Sequence, residues 1–355
     1  MPQFYRADGA GYRLPPESSR PLATSPSAMR APEPVPRERI PGGTALDGLD
    51  PRDTREAARA SWRDVIYRIT RIDLGRIKGS AYELGLRDQI RTPVGGAFPI
   101  AVLNLKGGVG KTVVVEALGS TFADVRDDRV IAVDIDGGDL SDRHGRRSRL
   151  SMVDLVRDCS VTRYVDVRAH TFMNSSGLEV LGLPEYANTH WRLERPDVVK
   201  VFSILRKHYS VVLVDCVKAL KSSVMEAVLP EAQALVVVSS TSIDAVRKTR
   251  TTLEWLRNNG YQKLVGSTVL AINHTEPAQL SVLSGKELER LSALVAATVV
   301  LPFDRHVHEG KEIGLDRLSR KSRRCYLEMA AALAEMFPSG GRERRQPVGA
   351  HSPSR

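Results

Sequence analysis

The chain has 355 residues, 42% apolar and 26% charged, with a formal net charge of +10. Such proportions suit a chain with a substantial core and argue against a fibre or a wholly disordered polymer. Three widely spaced cysteines (Cys159, Cys216, Cys325) argue against a disulfide framework or a cysteine zinc site, and no run reaches the ~20 apolar residues of a membrane-spanning helix.

In chain order, residues 1–50 hold 9 of the 20 prolines and no apolar periodicity. Such a segment cannot bury enough surface to offset its ordering entropy, so a disordered tail is expected. Its start, MPQFYRADGAGYRLPP, lacks the apolar core of a secretory signal, and a cytoplasmic location is expected. Residues 51–99 read as a helical lead-in. Ala58, Trp62, Val65, Ile66 and Ile69 fall at helical spacing, a shorter helical pattern follows over 80–91, and Pro93, Gly95, Gly96 and Pro99 then break the chain.

From residue 100 to 337 short apolar strands alternate with helices. Strands are predicted at 100–105, 130–135, 178–181, 211–214, 234–238, 269–272 and 298–301. Helices are predicted at 113–122, 241–259 (stopped by Gly260) and 318–337. Apolar strands without alternation, separated by helices, predict an α/β domain with a mostly parallel, doubly wound sheet. Residues 338–355 read as a disordered basic tail.

Basic and acidic residues number 6 and 6 over 1–50, 10 and 6 over 51–99, 32 and 29 over 100–337, and 4 and 1 over 338–355. The large central domain is therefore nearly balanced, unlike a domain built to wrap nucleic acid. The basic flanks permit contact with an acidic surface, although solvated charge is the simpler reading.

The strongest motif is Lys106-Gly107-Gly108-Val109-Gly110-Lys111-Thr112, after a predicted strand and opening a predicted helix. Glycines allow consecutive N–H groups to turn inward as an anion nest, and the helix adds its positive end. Lys111 is placed to bridge β- and γ-phosphates and Thr112 to hold Mg²⁺. ATP with Mg²⁺ is the expected ligand. The usual loop carries Gly where Leu105 stands here, with Lys106 beside it. A second lysine at this place resembles the deviant Walker A ATPases, the MinD/ParA group of P-loop NTPases.

That resemblance assigns further residues. Asp134 and Asp136 look like switch I, the first near the magnesium and the second orienting the attacking water. Val211 to Asp215 looks like Walker B, with Asp215 holding Mg²⁺ through water. Asn273, Pro302 and Asp304 correspond to the adenine pocket, and Val113 completes the phosphate loop. Lys106 is expected to reach the phosphates of a partner chain, which implies a homodimer when ATP is bound. The catalytic set implied is Lys106, Lys111 and Asp136, with Thr112, Asp134 and Asp215 for the metal.

The pattern departs in switch II, where Asp215-Cys216-Val217-Lys218 has Lys218 in place of a glycine whose N–H contacts the γ-phosphate. The Lys218 ammonium either contacts a phosphate or points to solvent. Val113 replaces the loop's usual second Thr. Nucleotide binding is thus a firmer expectation than hydrolysis, and a non-hydrolysing scaffold is an alternative. Trp62–Val65, Ile72–Gly75, Ile90–Pro93, Ala117–Ala123 and Thr252–Leu256 resemble MinD/ParA-like proteins encoded with mycobacterial type VII secretion systems. This implies an actinobacterial source and secretion-system partners.

A partition-type ATPase binding DNA non-specifically is a competing role, through Arg143, Arg146, Arg147 and Arg149 or the 317–324 run. Both clusters also suit solvated faces. The stripe Leu318, Tyr326, Met329, Leu333, Met336, Phe337 suits either an interfacial membrane helix or a helix packed on the sheet, and packing is the expectation. His306 and His308 are expected in an exposed loop, and Cys216 as a small buried residue rather than a nucleophile.

Overall fold

The computed structural model describes residues 80–338, except Gly138, residues 186–189 and residues 278–281. All of these belong to one compact unit, Asp50–Arg355. The expectations for residues 1–79, including the helix near 52–70, and for residues 339–355 lie outside the described residues.

The strands are β1 (Phe98–Leu103), β2 (Val130–Asp134), β3 (Phe172–Met173), β4 (Glu179–Leu181), β5 (Val211–Asp215), β6 (Ala234–Ser240), β7 (Thr268–Asn273) and β8 (Ala297–Leu301). The helices are α1 (Ser80–Ile90), α2 (Lys111–Val125), α3 (Asp139–Arg143), α4 (Met152–Arg157), α5 (Tyr164–Arg168) and α6 (Arg195–Leu205). They continue as α7 (Ser223–Glu231), α8 (Ile243–Asn258), α9 (Gln262–Gly266), α10 (Val282–Ser292), α11 (Arg305–His308) and α12 (Arg320–Ala334).

One sheet runs in the order β3-β4-β2-β5-β1-β6-β7-β8, parallel throughout except for β3, which is antiparallel to β4. Successive residues of β1 serve opposite faces, as strand geometry requires. Ile100 and Val102 join one core with α1, α2 and α12, while Ala101 and Leu103 join the other with α6, α7 and α8. Burial on both faces explains why the strands read as continuous apolar runs.

The stripe on α12 is buried in the first core: Tyr326, Met329, Leu333 and Phe337 are covered, and the Phe337 ring meets Phe98 edge-on at 4.8 Å. This face is packed on the sheet and is not free for a membrane interface. Leu86 and Ile90 of α1 enter the same core, and the Pro338 carbonyl accepts the Gly95 N–H. Among the described residues no helix is long and apolar enough to cross a membrane.

Candidate functional site

The phosphate loop leaves β1 and enters α2. Gly110 caps α2 in the left-handed region (φ 93°) and Gly108 has φ 74°, conformations that side chains other than glycine rarely adopt. Asn104 pins the loop's start: its Oδ1 accepts the Lys106 N–H at 3.0 Å, and its Nδ2 donates to the Val238 carbonyl and to Thr249. Asn273, at the end of β7, pins the far side by donating to the Val109 carbonyl at 2.9 Å. A Cβ at Gly110 would run into that Asn273 amide. The Val109 side chain itself is buried in the core, so this position faces the site only through its backbone.

Strand register delivers the acidic groups. Asp134 of β2 lies directly opposite Asp215 of β5, and Val102 of β1 lies opposite the same Asp215. Both carboxylates therefore stand at the carboxyl ends of adjacent strands, beside the point where β1 becomes the loop and chain order reverses across the sheet. The Thr112 hydroxyl donates to Asp215 Oδ2 at 2.6 Å, and Lys111 Nζ pairs with Asp136 Oδ2 at 2.9 Å. Asp134 accepts the backbone N–H groups of Asp136 and Leu140 at 3.1 and 3.0 Å, so it shapes the turn that carries Asp136.

Asp215 is fully buried, and its Oδ1 has no hydrogen-bond partner. Burial, followed by the nearby Asp134, pushes its pKa up to about 7; the Thr112 hydrogen bond and Lys111 pull the other way. A buried acceptor oxygen with no donor, beside a hydroxyl and a second carboxylate, is a hard-oxygen set that fits Mg²⁺. The glycine-lined turn at a helix start fits a polyphosphate.

Beside the loop lies a cleft of ≈430 Å³, whose lining includes Gly108, Gly110, Val113, Asn273, Pro302 and Asp304. The adenine-side expectations thus meet the phosphate loop in one cavity. Asp304 borders it as a brace: Oδ1 caps α11 through the His306 N–H, and Oδ2 accepts from Ser319 N–H and the Ser322 hydroxyl. Burial alone would raise its pKa, but these hydrogen bonds prevail and hold it below the ordinary carboxylate value.

An AAA-domain family model, AAA_31, matches residues 98–263. The chain is 39% identical over 290 residues to EspI, an ESX-1 secretion-associated protein of Mycobacterium tuberculosis, covering 80% of this chain and 43% of EspI. The chain is thus related to EspI of the mycobacterial secretion subgroup, and residues 98–263 carry an AAA domain. It spans less than half the length of the curated relatives it matches.

Solved ParA and MinD structures share the fold. A ParA family ATPase from Chlorobium tepidum is 17% identical with a TM-score of 0.57, covering 66% of this chain and 98% of its own. MinD from Pyrococcus horikoshii, solved with Mg-ADP, is 19% identical with a TM-score of 0.52, covering 66% and 94%.

At this site, two long-range contacts went unforeseen. Lys106 Nζ pairs with Asp244 at 2.9 Å, on the first turn of α8, and both side chains are exposed. The Lys106 hydrogen bond is the main influence on Asp244 and lowers its pKa. Lys218 lies against Gly107, its Cε 3.1 Å from where a Cβ would stand. A third unforeseen group is Glu116, fully buried on α2, whose Oε1 accepts the Ile313 N–H and Oε2 the Arg143 guanidinium, each at 2.6 Å.

Three of the four arginines in the 143–149 cluster are paired with carboxylates: Arg143 with Glu116, Arg146 with Asp142 and Arg147 with Glu312. His306 departs from expectation. It is buried on α11 and accepts the Gly314 N–H at 3.1 Å, because the loop after α11 folds back over it, whereas His308 is exposed. Cys216 is buried, and burial drives its thiol pKa up, which suits packing rather than nucleophilic chemistry. No group of three or more His, Cys, Asp or Glu able to hold a metal ion occurs among the described residues, so the acidic part of the cation set is the Asp134–Asp215 pair.

Proposed function

We propose that this chain is a cytoplasmic, ATP- and Mg²⁺-dependent molecular switch that serves type VII secretion or protein positioning. The observation that carries this reading is the pairing of Thr112 with Asp215 at 2.6 Å, leaving Asp215 Oδ1 without a donor at the mouth of a glycine-built helix start. When bound, Mg²⁺ neutralises charge between the β- and γ-phosphates.

The chain's own groups divide the work. Backbone N–H groups of residues 107–113 line the polyphosphate, and Lys111 exchanges its Asp136 partner for phosphate oxygens. Thr112 and Asp215 hold the cation, and Asp134 fixes the turn that carries Asp136. Asp136, released from Lys111, orients and accepts a proton from an attacking water. Val113, Asn273, Pro302 and Asp304 bound the cleft for the base. Lys106, released from Asp244, reaches a second copy of the chain, so γ-phosphate occupancy and dimer state are coupled. Secretion-system proteins are the proposed partners, supported by the likeness to EspI.

Lys218 and Val113 favour a second reading, slow or absent turnover, in which the nucleotide-bound dimer serves as a scaffold. Pairing of Arg143, Arg146 and Arg147 with carboxylates gives a DNA-partition role less support.

The test is calorimetric titration of Mg²⁺ and a non-cleavable ATP analogue into the wild-type chain and Lys111→Ala. Wild-type binding with none in the variant is expected. Equal affinity would reject the phosphate-loop assignment. Phosphate release that persists in Asp136→Ala at the wild-type rate would remove Asp136 from the hydrolytic role.

A further inference from the structure

Three ammonium groups approach the phosphate loop, and they are not equivalent. Lys106 is paired with Asp244 and Lys111 with Asp136, each at 2.9 Å. Lys218 is exposed and makes no ion pair with a described residue. Its side chain nevertheless lies along the loop: Cδ, Cε and Nζ stand 3.5, 3.1 and 3.2 Å from where a Cβ on Gly107 would be. Any residue but glycine at 107 would force that chain to move.

The direction of approach identifies the phosphate. Lys218 follows Asp215 by three residues, on the segment leaving β5, and Asp215 with Thr112 forms the cation side of the site. Mg²⁺ held by Thr112 and Asp215 would draw the terminal phosphates of a bound nucleotide toward that side of the loop. An ammonium without a carboxylate partner, lying along anion-binding backbone, is electrostatically suited to an anion.

We propose that Lys218 is a γ-phosphate-recognition residue acting within one chain. A cationic donor there replaces the neutral backbone donor that the switch II glycine supplies in the pattern this chain resembles. Triphosphate is thereby distinguished from diphosphate before a second copy contributes Lys106. The inference rests on the nucleotide-binding reading above and concerns ligand discrimination rather than turnover.

The test uses the full chain, kept dilute enough to stay monomeric by light scattering. Affinities for Mg²⁺ with a non-cleavable ATP analogue, and for Mg²⁺ with ADP, are measured for wild type, Lys218→Met and Lys218→Arg. Met keeps an aliphatic stem on Gly107 and removes only the charge. Because Lys218 is exposed, unchanged thermal melts are expected for both variants. Loss of one charge-assisted contact at a solvent-accessible site should weaken Lys218→Met for the ATP analogue by about tenfold. ADP affinity should change by less than about twofold, and Lys218→Arg should keep most of the preference for the analogue. Equal analogue affinity in Lys218→Met and wild type would overturn the proposal while leaving the nucleotide site intact, as would equal losses for both nucleotides. A wild-type chain that binds neither nucleotide would reject the parent reading as well.

Discussion

Asp215→Asn separates the electrostatic cost of the site from its function. Asp215 is fully buried with its pKa pushed up to about 7 from an ordinary 3.8, by burial first and by Asp134 second. A carboxyl whose folded-state pKa is raised contributes its stability below the ordinary value and loses it as pH rises through the folded value. The displacement is about 3 pH units, and each unit is worth about 1.4 kcal/mol, so the ionised group costs the folded chain about 4 kcal/mol above pH 7. Roughly a third of that is already lost at pH 5, so about 3 kcal/mol is lost between pH 5 and pH 8. Asn carries no charge and instead leaves an amide N–H group to satisfy, a cost of about 1–3 kcal/mol that does not vary with pH.

The stability of Asp215→Asn relative to wild type should therefore rise by about 3 kcal/mol from pH 5 to pH 8. Urea unfolding of both proteins at the two pH values, with a chelator present, measures this directly. Adding Mg²⁺ and a non-cleavable ATP analogue at pH 8 should then stabilise wild type and leave the variant unmoved. A stability difference that stays the same at both pH values would refute the reasoning that Asp215 is a strained, ionisable buried acid awaiting a cation.

Other outcomes follow from the same geometry. Gly110→Ala must hold a left-handed backbone at about 1–2 kcal/mol and displace Asn273 from the Val109 carbonyl; analogue affinity should fall at least about tenfold by calorimetry. Asp244→Ala removes an exposed ion pair, so unfolding stability should barely change while ATP-dependent dimerisation rises in light scattering. Unchanged dimerisation would count against Lys106 as the cross-chain group. Phe337→Ala empties the packing against Phe98 and should cost about 3–4 kcal/mol in urea unfolding, with nucleotide affinity preserved.

What could be read in advance was what local sequence dictates. The β-branched runs of β5 and β6 have one stable use, as strands buried on both faces, and the predicted helix at 241–259 differs from α8 mainly because Ser242 caps it from outside. The phosphate loop was legible because its glycines, lysine and threonine act through backbone shape within a few residues. Several elements were not foreseen. The two-residue β3 is too short for periodicity to register, and α3 to α5 are five or six residues long, α4 and α5 opened by capping boxes. Helix α6 does carry Val198, Val201, Phe202 and Leu205 on one face, a signal present but masked by its charged neighbours. At the site, Asp244 and Glu116 have no local signature: their roles depend on partners 138 and 197 residues away. The place of Lys218 against Gly107 likewise follows from β5 lying next to β1.

Glu116 has a wider implication. Buried on the same helix that opens at the phosphate loop, one carboxylate grips both the segment after β2, through Arg143, and the segment after β8, through the Ile313 N–H. Both banks of the cleft are thereby moored to a single rod. A genetic screen for nucleotide-blind variants should recover Glu116 alongside Lys111, even though it lies more than a helical turn beyond Lys111 and is buried. Hits from such a screen would map the anchorage of the machine as well as its contact points.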